Sequence, residues 1–229
     1  MAKTRMKIFT IIKEESKRVP EKNFIDINGK PLWWYLLSEL KGLDITVNTD
    51  SQKFLNQYKN SNMQSIKIIE RSQKHIDWEN DDSIDSSPVE DMLFDFCKTI
   101  NGSEIVVLTH ITSPFLKKET IFEAVDLLQN DQYAKSIHSI LKIQDFIWIK
   151  KNNITTPVNF YTDRVQRTQD LSPIFVSKGA FFISKASDIL NQRKRLPEPL
   201  IFFPLSHIEG VEIDNFDDLE YARFLEGKR

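Results

Sequence analysis

Cysteine is almost missing from this chain. One, Cys97, stands in 229 residues, so no internal disulfide can form and a reducing compartment is expected. Glycine is scarce too, at six residues, and glycine-rich phosphate motifs are not found: there is no G-x-G-x-x-G and no Walker loop. A G-x-S-x-G nucleophile elbow is also missing, which removes support for a hydrolase. No segment approaches the roughly 20 apolar residues of a membrane span, and the first apolar run is too short for a signal peptide. Neither charge dominates: 31 basic and 33 acidic side chains leave a net charge of −2. That gives no long-range attraction to nucleic acid or an anionic membrane, so any phosphate binding must be local. The four histidines, His75, His110, His138 and His207, lack metal-ligand spacing. A soluble, cytoplasmic chain is expected, with neither nucleic acid nor membrane as partner.

The chain is long enough to bury a substantial core. Short apolar runs at residues 7–12, 45–48, 65–69 and 104–109 predict buried strands. Helical-period stretches at 31–40, 51–58, 88–100 and 119–129 predict the helices between them. In the first helix Leu32, Leu36 and Leu40 share a face, and Trp33 and Trp34 read as core rather than as a ligand platform. This alternation implies right-handed crossovers and a mainly parallel α/β sheet. The second half differs. Residues 135–150 predict two strands broken at Gln144-Asp145, 152–170 is polar and irregular, and 174–184 is strongly β. A closing strand over 211–214 leads into a helix at 217–225 with acids in its first turn. With no repeats and no linker, one domain spanning 1–229 is expected, with an irregular arm at about 138–172.

Three places carry possible chemistry. Directly after the first strand comes a loop holding Lys13, Ser16, Lys17, Arg18, Lys22 and Asn23, then the turn Asn28-Gly-Lys-Pro. In an open α/β sheet such a loop is delivered to the ligand crevice, where cations and backbone N–H groups seat polyphosphate. The plainer alternative is a solvated turn, and Glu14 and Glu15 inside the loop would repel phosphate unless turned away or neutralised. Second, Glu212 and Asp214 flank Ile213. On a strand they would face one side and could hold Mg²⁺, or simply be the polar face of an edge. Third, His110-Ile-Thr112-Ser113-Pro follows a buried strand, either as a polar substrate contact or as an ordinary helix-opening turn.

Taken in order, these segments resemble the CMP-sialic acid synthetase (acylneuraminate cytidylyltransferase) family. Residues 11–23 resemble its signature loop ARxGSKxxxxKN, and Val47-Asn-Thr-Asp50 resembles VSTD. Arg71 is similar to the arginine after its third strand, and His110-Ile-Thr-Ser-Pro114 to QPTSP. Arg167-Thr-Gln169-Asp-Leu171 with Lys178-Gly-Ala180 resembles RRQDL…NGA, and Glu212-Ile-Asp214 resembles DID. The resemblance implies a Rossmann-like, mainly parallel sheet with helices on both faces, of nucleotide-diphospho-sugar transferase type, and a homodimer formed through the protruding arm. It implies transfer of CMP from CTP to the anomeric hydroxyl of a sialic-acid-like 2-keto sugar acid, releasing pyrophosphate. By that resemblance Lys22 and Lys17 are catalytic, while Lys13, Ser16, Asn23 and Arg71 hold CTP. His110, Thr112, Ser113, Arg167, Gln169 and Lys178 hold the sugar acid, and Asp214 with Glu212 holds Mg²⁺.

The chain departs from the pattern at named positions. Lys13 replaces an arginine and loses its bidentate reach to phosphate, Glu15 replaces a glycine, and His110, Thr168 and Lys178 replace Gln, Arg and Asn. Two alternatives therefore stand beside the main reading: a CTP-dependent enzyme for a non-sugar acceptor such as a phosphonate, and a non-catalytic relative acting as a binding partner.

Overall fold

The computed structural model describes residues 6–16, 18–63 and 66–228. Its strands are β1 (Met6–Ile12), β2 (Asp26–Ile27), β3 (Lys30–Pro31), β4 (Asp44–Thr49), β5 (Lys67–Glu70), β6 (Ile105–Thr109), β7 (Ser136–Ile143), β8 (Trp148–Lys151), β9 (Ile154–Pro157), β10 (Ile174–Lys185) and β11 (Leu200–Pro204). Its helices are α1 (Leu32–Glu39), α2 (Gln52–Lys59), α3 (Gln73–Asn80), α4 (Val89–Cys97), α5 (Lys118–Asn130), α6 (Ala186–Gln192) and α7 (Phe216–Glu226). Seven strands form one sheet in the order β11-β7-β10-β6-β1-β4-β5. All neighbours pair in parallel except β10, which runs antiparallel to both β6 and β7.

Period-two alternation sorts the strand residues between two cores. Ile8 and Ile12 of β1, Ile105 and Val107 of β6 and Phe181 and Ile183 of β10 pack with α1, α2 and α5 on one face. Phe9 and Ile11, Val106 and Leu108, and Phe182 pack with α4 and α6 on the other. Helices therefore cover both faces, as a parallel sheet requires. Trp33 is fully buried against Phe54, and its indole N–H donates to Gln57 at 2.8 Å; Trp34 packs at the margin of that core.

Several local expectations need correction. Residues 211–214 join no sheet; the backbone there is tied by Ile213 N–H donating to the Thr112 carbonyl at 2.9 Å. Ile213 still packs inward, beside Ile27, Leu32 and Phe115. The polar stretch 152–170 contains β9, which pairs with β8 in a hairpin. Its two turn residues, Asn152 and Asn153, both have positive φ, 50° and 62°, the requirement of a type I′ turn that asparagine meets. The turn was thus written in the sequence as Asn-Asn. Strand β11 and helices α3 and α6 had no place among the expected elements, and the predicted start of β5 at residue 65 lies outside the described residues. Among the described residues no helix is long and apolar enough to cross a membrane.

Candidate active site

β1 lies between β6 on one side and β4 on the other. The chain leaves β1 for β4 on one side and returns from β5 to β6 on the other, and the crevice at the carboxyl ends of strands at such a reversal is where open α/β sheets bind ligands. A cavity of about 290 Å³ occupies it, lined by Ile11, Lys13, Ser16, Arg18, Lys22 and Asn23 from β1 and its loop, Glu79, Val89 and Met92 from α3 and α4, His110, Ile111 and Thr112 after β6, and Asp214.

The loop is folded back by its own apolar anchor. Val19 is fully buried and its carbonyl accepts from Lys22 N–H at 3.1 Å. Glu21 takes a left-handed conformation (φ 51°), and Lys22–Phe24 then forms one 3-10 turn. Asn23 closes the loop, its side-chain amide donating to the Lys13 carbonyl at 2.9 Å. After the β2–β3 turn, with Asn28 and Gly29 at φ 48° and 90°, Pro31 caps α1. The acid inside the loop is dealt with locally: Glu14 accepts from the hydroxyl of Ser51, which caps α2, and from Lys53 N–H. A carboxylate is stabilised at a helix N-terminus; Glu14 does not line this cavity and instead borders, with Glu15, a second cavity beside it. Glu15 is exposed.

Lys22 is the buried cation of this site, 8% exposed. Its ammonium donates to the Ile213 carbonyl at 2.9 Å and lies 3.2 Å from Asp214 Oδ1, which Arg18 also contacts at 2.6 Å. Burial holds the Lys22 ammonium below the ordinary lysine range, with Asp214 working against that. Asp214 owes its place to α7. Asn215 and Asp218 form a capping box, and Asp218 also accepts from Asp214 N–H at 2.9 Å, which fixes the backbone from which the carboxylate projects.

Glu212 goes elsewhere. Its Oε1 accepts from Gly179 N–H at 2.6 Å and its Oε2 lies 3.5 Å from the Lys178 ammonium. The expectation that Glu212 and Asp214 share one strand face therefore fails with the strand itself: each carboxylate has its own set of cations. Gly179 allows this approach, because a Cβ there would stand 2.6 Å from Glu212 Oε1 and 3.2 Å from the His110 ring. Burial pushes the Glu212 carboxyl above the usual carboxylate range, against the pull of Gly179 N–H and Lys178. The lining of the main cavity thus offers Mg²⁺ two carboxylates, Asp214 and Glu79, the second of them bound to both Lys13 and Arg71. That fits an ion which takes one or two carboxylates and completes its shell with phosphate oxygens and water.

His110 sits between these groups, its ring edge-on to Phe182. Burial, followed by the nearby charges of Arg195, Lys13 and Lys22, pushes its pKa down to about 4. Below about 6.5 the unfolded chain then binds more protons than the folded one, so stability is lost as pH falls from about 6.5 towards 4. At ~1.4 kcal/mol per unit the loss is on the order of 3 kcal/mol. His110→Gln is expected to flatten that limb when unfolding by urea is followed against pH; an unchanged limb would assign the acid sensitivity to other groups.

The remaining expected residues divide. Lys13, Ser16, Asn23 and Thr112 line the cavity. Arg71 is 5% exposed and borders an adjoining cavity of about 370 Å³ with Asp50 and Glu79. Ser113 is fully buried behind the lining and Lys178 pairs with Glu212. Arg167 and Gln169 are exposed, with Arg167 paired to Asp170 at 2.7 Å; neither lines the cavity of its own chain. Lys17 lies outside the described residues. Glu79 and the Arg18–Asp214 pair were not foreseen. Arg18 had a signal in the basic loop, while Glu79 had none.

Comparison with known proteins agrees with this architecture. The chain is 25% identical over 222 residues to N-acylneuraminate cytidylyltransferase of Streptococcus agalactiae, covering 89% of this chain and 49% of that protein. It thus spans about half the length of the streptococcal relatives it matches. It is 29% identical over 227 residues to CMP-N,N'-diacetyllegionaminic acid synthase of Legionella pneumophila, covering 91% of each chain. It is 23% identical over 227 residues to pseudaminic acid cytidylyltransferase of Campylobacter jejuni, covering 92% and 91%. Among solved structures, CMP:2-keto-3-deoxy-manno-octonic acid synthetase complexed with CTP shares the fold at a TM-score of 0.68 and 15% identity, covering 98% of this chain and 99% of that one. The 4-diphosphocytidyl-2C-methyl-D-erythritol synthase shares it at 0.66 and 11%, covering 97% and 100%. The family profile described as Cytidylyltransferase matches residues 14–225, from the basic loop to the last helix, and the chain belongs to that family.

Proposed function

We propose that the chain transfers CMP from CTP to the anomeric hydroxyl of a sialic-acid-like 2-keto sugar acid, releasing pyrophosphate. The observation that carries this reading is the approach of Lys22 to Asp214, 3.2 Å apart across a chain separation of 192 residues, on the wall of one cavity at the carboxyl ends of β1 and β6. The relatives' names supply the substrate class, since N-acylneuraminate, pseudaminic acid and diacetyllegionaminic acid are all 2-keto sugar acids.

In this reading the anomeric hydroxyl oxygen bonds to the α-phosphorus and gives up its proton to solvent as the bond from the α-phosphorus to the bridging oxygen of the β-phosphate breaks, and pyrophosphate carries the electron pair away. Such transfers rest on positioning and on charge stabilisation rather than on a covalent partner. Lys22 would hold the α-phosphate, and Lys13, Arg18 and Ser16 would hold the outer phosphates, with Lys17 of the same loop assigned alongside them. A half-dried ammonium interacts more strongly with phosphate than one in water. Asp214 would hold Mg²⁺, which when bound neutralises charge on the leaving group. Arg71 and Asn23 would contribute to the nucleotide pocket, and His110, Thr112 and Lys178 would hold the acceptor.

Two structural facts weigh against the alternatives. A phosphonate acceptor would draw on positive charge at Lys178, which here pairs with Glu212 at 3.5 Å. A non-catalytic role would rest on the acids in the loop, of which Glu14 is held at the N-terminus of α2. The arm carries exposed apolar side chains, among them Trp148, Ile154, Val158 and Tyr161, which suits burial in a homodimer and would bring Arg167 and Gln169 towards a partner's site. The lone Cys97 is buried, with its thiol pushed up to about 12, an unreactive group at home in the cytoplasm.

The test is pyrophosphate release with CTP and Mg²⁺ and a panel of N-acetylneuraminate, legionaminate, pseudaminate and 2-keto-3-deoxy-octonate. Turnover is expected with at least one nine-carbon acid. Release with none of the panel would reject this acceptor class.

A further inference from the structure

Lys13 and Arg71 arrive at the site from different elements, and one carboxylate bridges them. Glu79, on the last turn of α3, contacts the Lys13 ammonium with Oε1 and the Arg71 guanidinium with Oε2. Lys13, Ser16 and Glu79 line both the 290 Å³ cavity and the adjoining 370 Å³ cavity, so the Lys13–Glu79–Arg71 bridge is the partition between them. The carboxylate is placed against local preference. It lies at a helix C-terminus, where an acid meets the negative end of the dipole, and it is half-buried. Burial alone would push its pKa up; Lys13 and Arg71 together hold it below the usual range.

Arg71 has other support, with Asp50 at 3.7 Å from Nη1 and the His75 carbonyl accepting from Nη2 at 3.2 Å. The scaffold around it is firm as well. His75 is buried and bonded to Ser72 at 2.8 Å and to Asp91 of α4 at 2.9 Å, which pins α3 in place. Glu79 is therefore not needed to place Arg71, and a rigid helix keeps presenting it to the two cations.

We propose that Glu79 is an internal competitor for the phosphate-binding cations and sets the charge an incoming ligand must carry. A ligand gains Lys13 and Arg71 only by displacing this carboxylate. A triphosphate, or the pyrophosphate that carries the same two outer phosphates, can replace both contacts; cytidine monophosphate, with one phosphate, replaces them incompletely. Glu79 thereby weakens by the same factor every ligand that must displace it, and leaves these two cations to ligands with at least two phosphates. The inference rests on the nucleotide reading of this cavity.

Calorimetry of wild type and Glu79→Gln with CTP, CMP and inorganic pyrophosphate, each with Mg²⁺, tests it. The glutamine variant is expected to bind CTP and pyrophosphate at least about fivefold more tightly, the scale of one released ion pair. CMP binding should change less, so the gap between the CTP and CMP dissociation constants should widen. Unchanged or weaker binding of CTP and pyrophosphate by the variant overturns the proposal and makes Glu79 a support or a direct ligand. Wild type that binds pyrophosphate but not CTP overturns the nucleotide reading alone, and the pyrophosphate comparison still decides the role of Glu79. Should the glutamine variant not fold, Glu79→Asp, whose shorter carboxylate cannot span both cations, is expected to tighten CTP and pyrophosphate binding in the same direction; if it does not, the proposal fails.

Discussion

Replacing Lys22 with alanine is expected to lower kcat at least about tenfold, because one charge contact made to the transferring phosphate is worth about 1.4 kcal/mol or more in the transition state. The position of Lys22 gives this prediction a second, opposite-looking half. Burial holds its ammonium below the ordinary lysine range, so the folded chain binds that charge less readily than the unfolded chain does. The sign follows: Lys22 subtracts stability at pH values where the unfolded chain carries the charge. Lys22→Met, which keeps the stem, should therefore leave the melting temperature unchanged or higher while activity falls. Steady-state kinetics with thermal melts of both variants checks the pair. Full activity would remove Lys22 from the chemistry, and a loss of activity tracking a loss of fold would make its role structural.

The second large effect is expected at Asp214. Its Oδ1 faces Lys22 and Arg18, and of the two acids first assigned to the metal it is the one that lines the cavity. Asp214→Asn should raise the Mg²⁺ concentration for half-maximal activity at least about tenfold, the scale seen when metal-site contacts are lost. It should also cost stability, because Lys22 is left buried with its counter-charge removed, and the double variant with Lys22→Met should recover part of that loss. Glu212→Gln is expected to move the Mg²⁺ titration far less, since Glu212 serves Gly179 and Lys178. An unaltered Mg²⁺ titration in Asp214→Asn, or a larger shift in Glu212→Gln, would reverse the assignment.

Much of this molecule could be read before it was folded. Short apolar runs separated by helical-period stretches gave β1, β4, β6 and helices α1, α2, α4 and α5, because burial of a parallel sheet on both faces leaves a mark in every strand. The basic loop, the Asn28-Gly29 turn and Pro31 were legible because turn chemistry and proline geometry are properties of adjacent residues. The collinear motifs carried the family, which the profile over residues 14–225 bears out.

Other features had no local signature. The extended segment at 211–214 looked like a strand, since alternation reports burial on one side and not the hydrogen-bond partner; here its N–H groups donate to the carbonyls of Ile208 and Thr112 and to the Asp218 carboxylate rather than to a strand. Tertiary structure alone decided which carboxylate meets which cation. Lys22 and Asp214 stand 192 residues apart, Lys178 and Glu212 are joined across the sheet from α7's leading segment, and Glu79 reaches Lys13 from 66 residues away. Charge pairing at such separations depends on where whole elements dock, and docking follows from the packing of Ile213, Val19 and the helices around them, none of which distinguishes one acid from its neighbour along the chain.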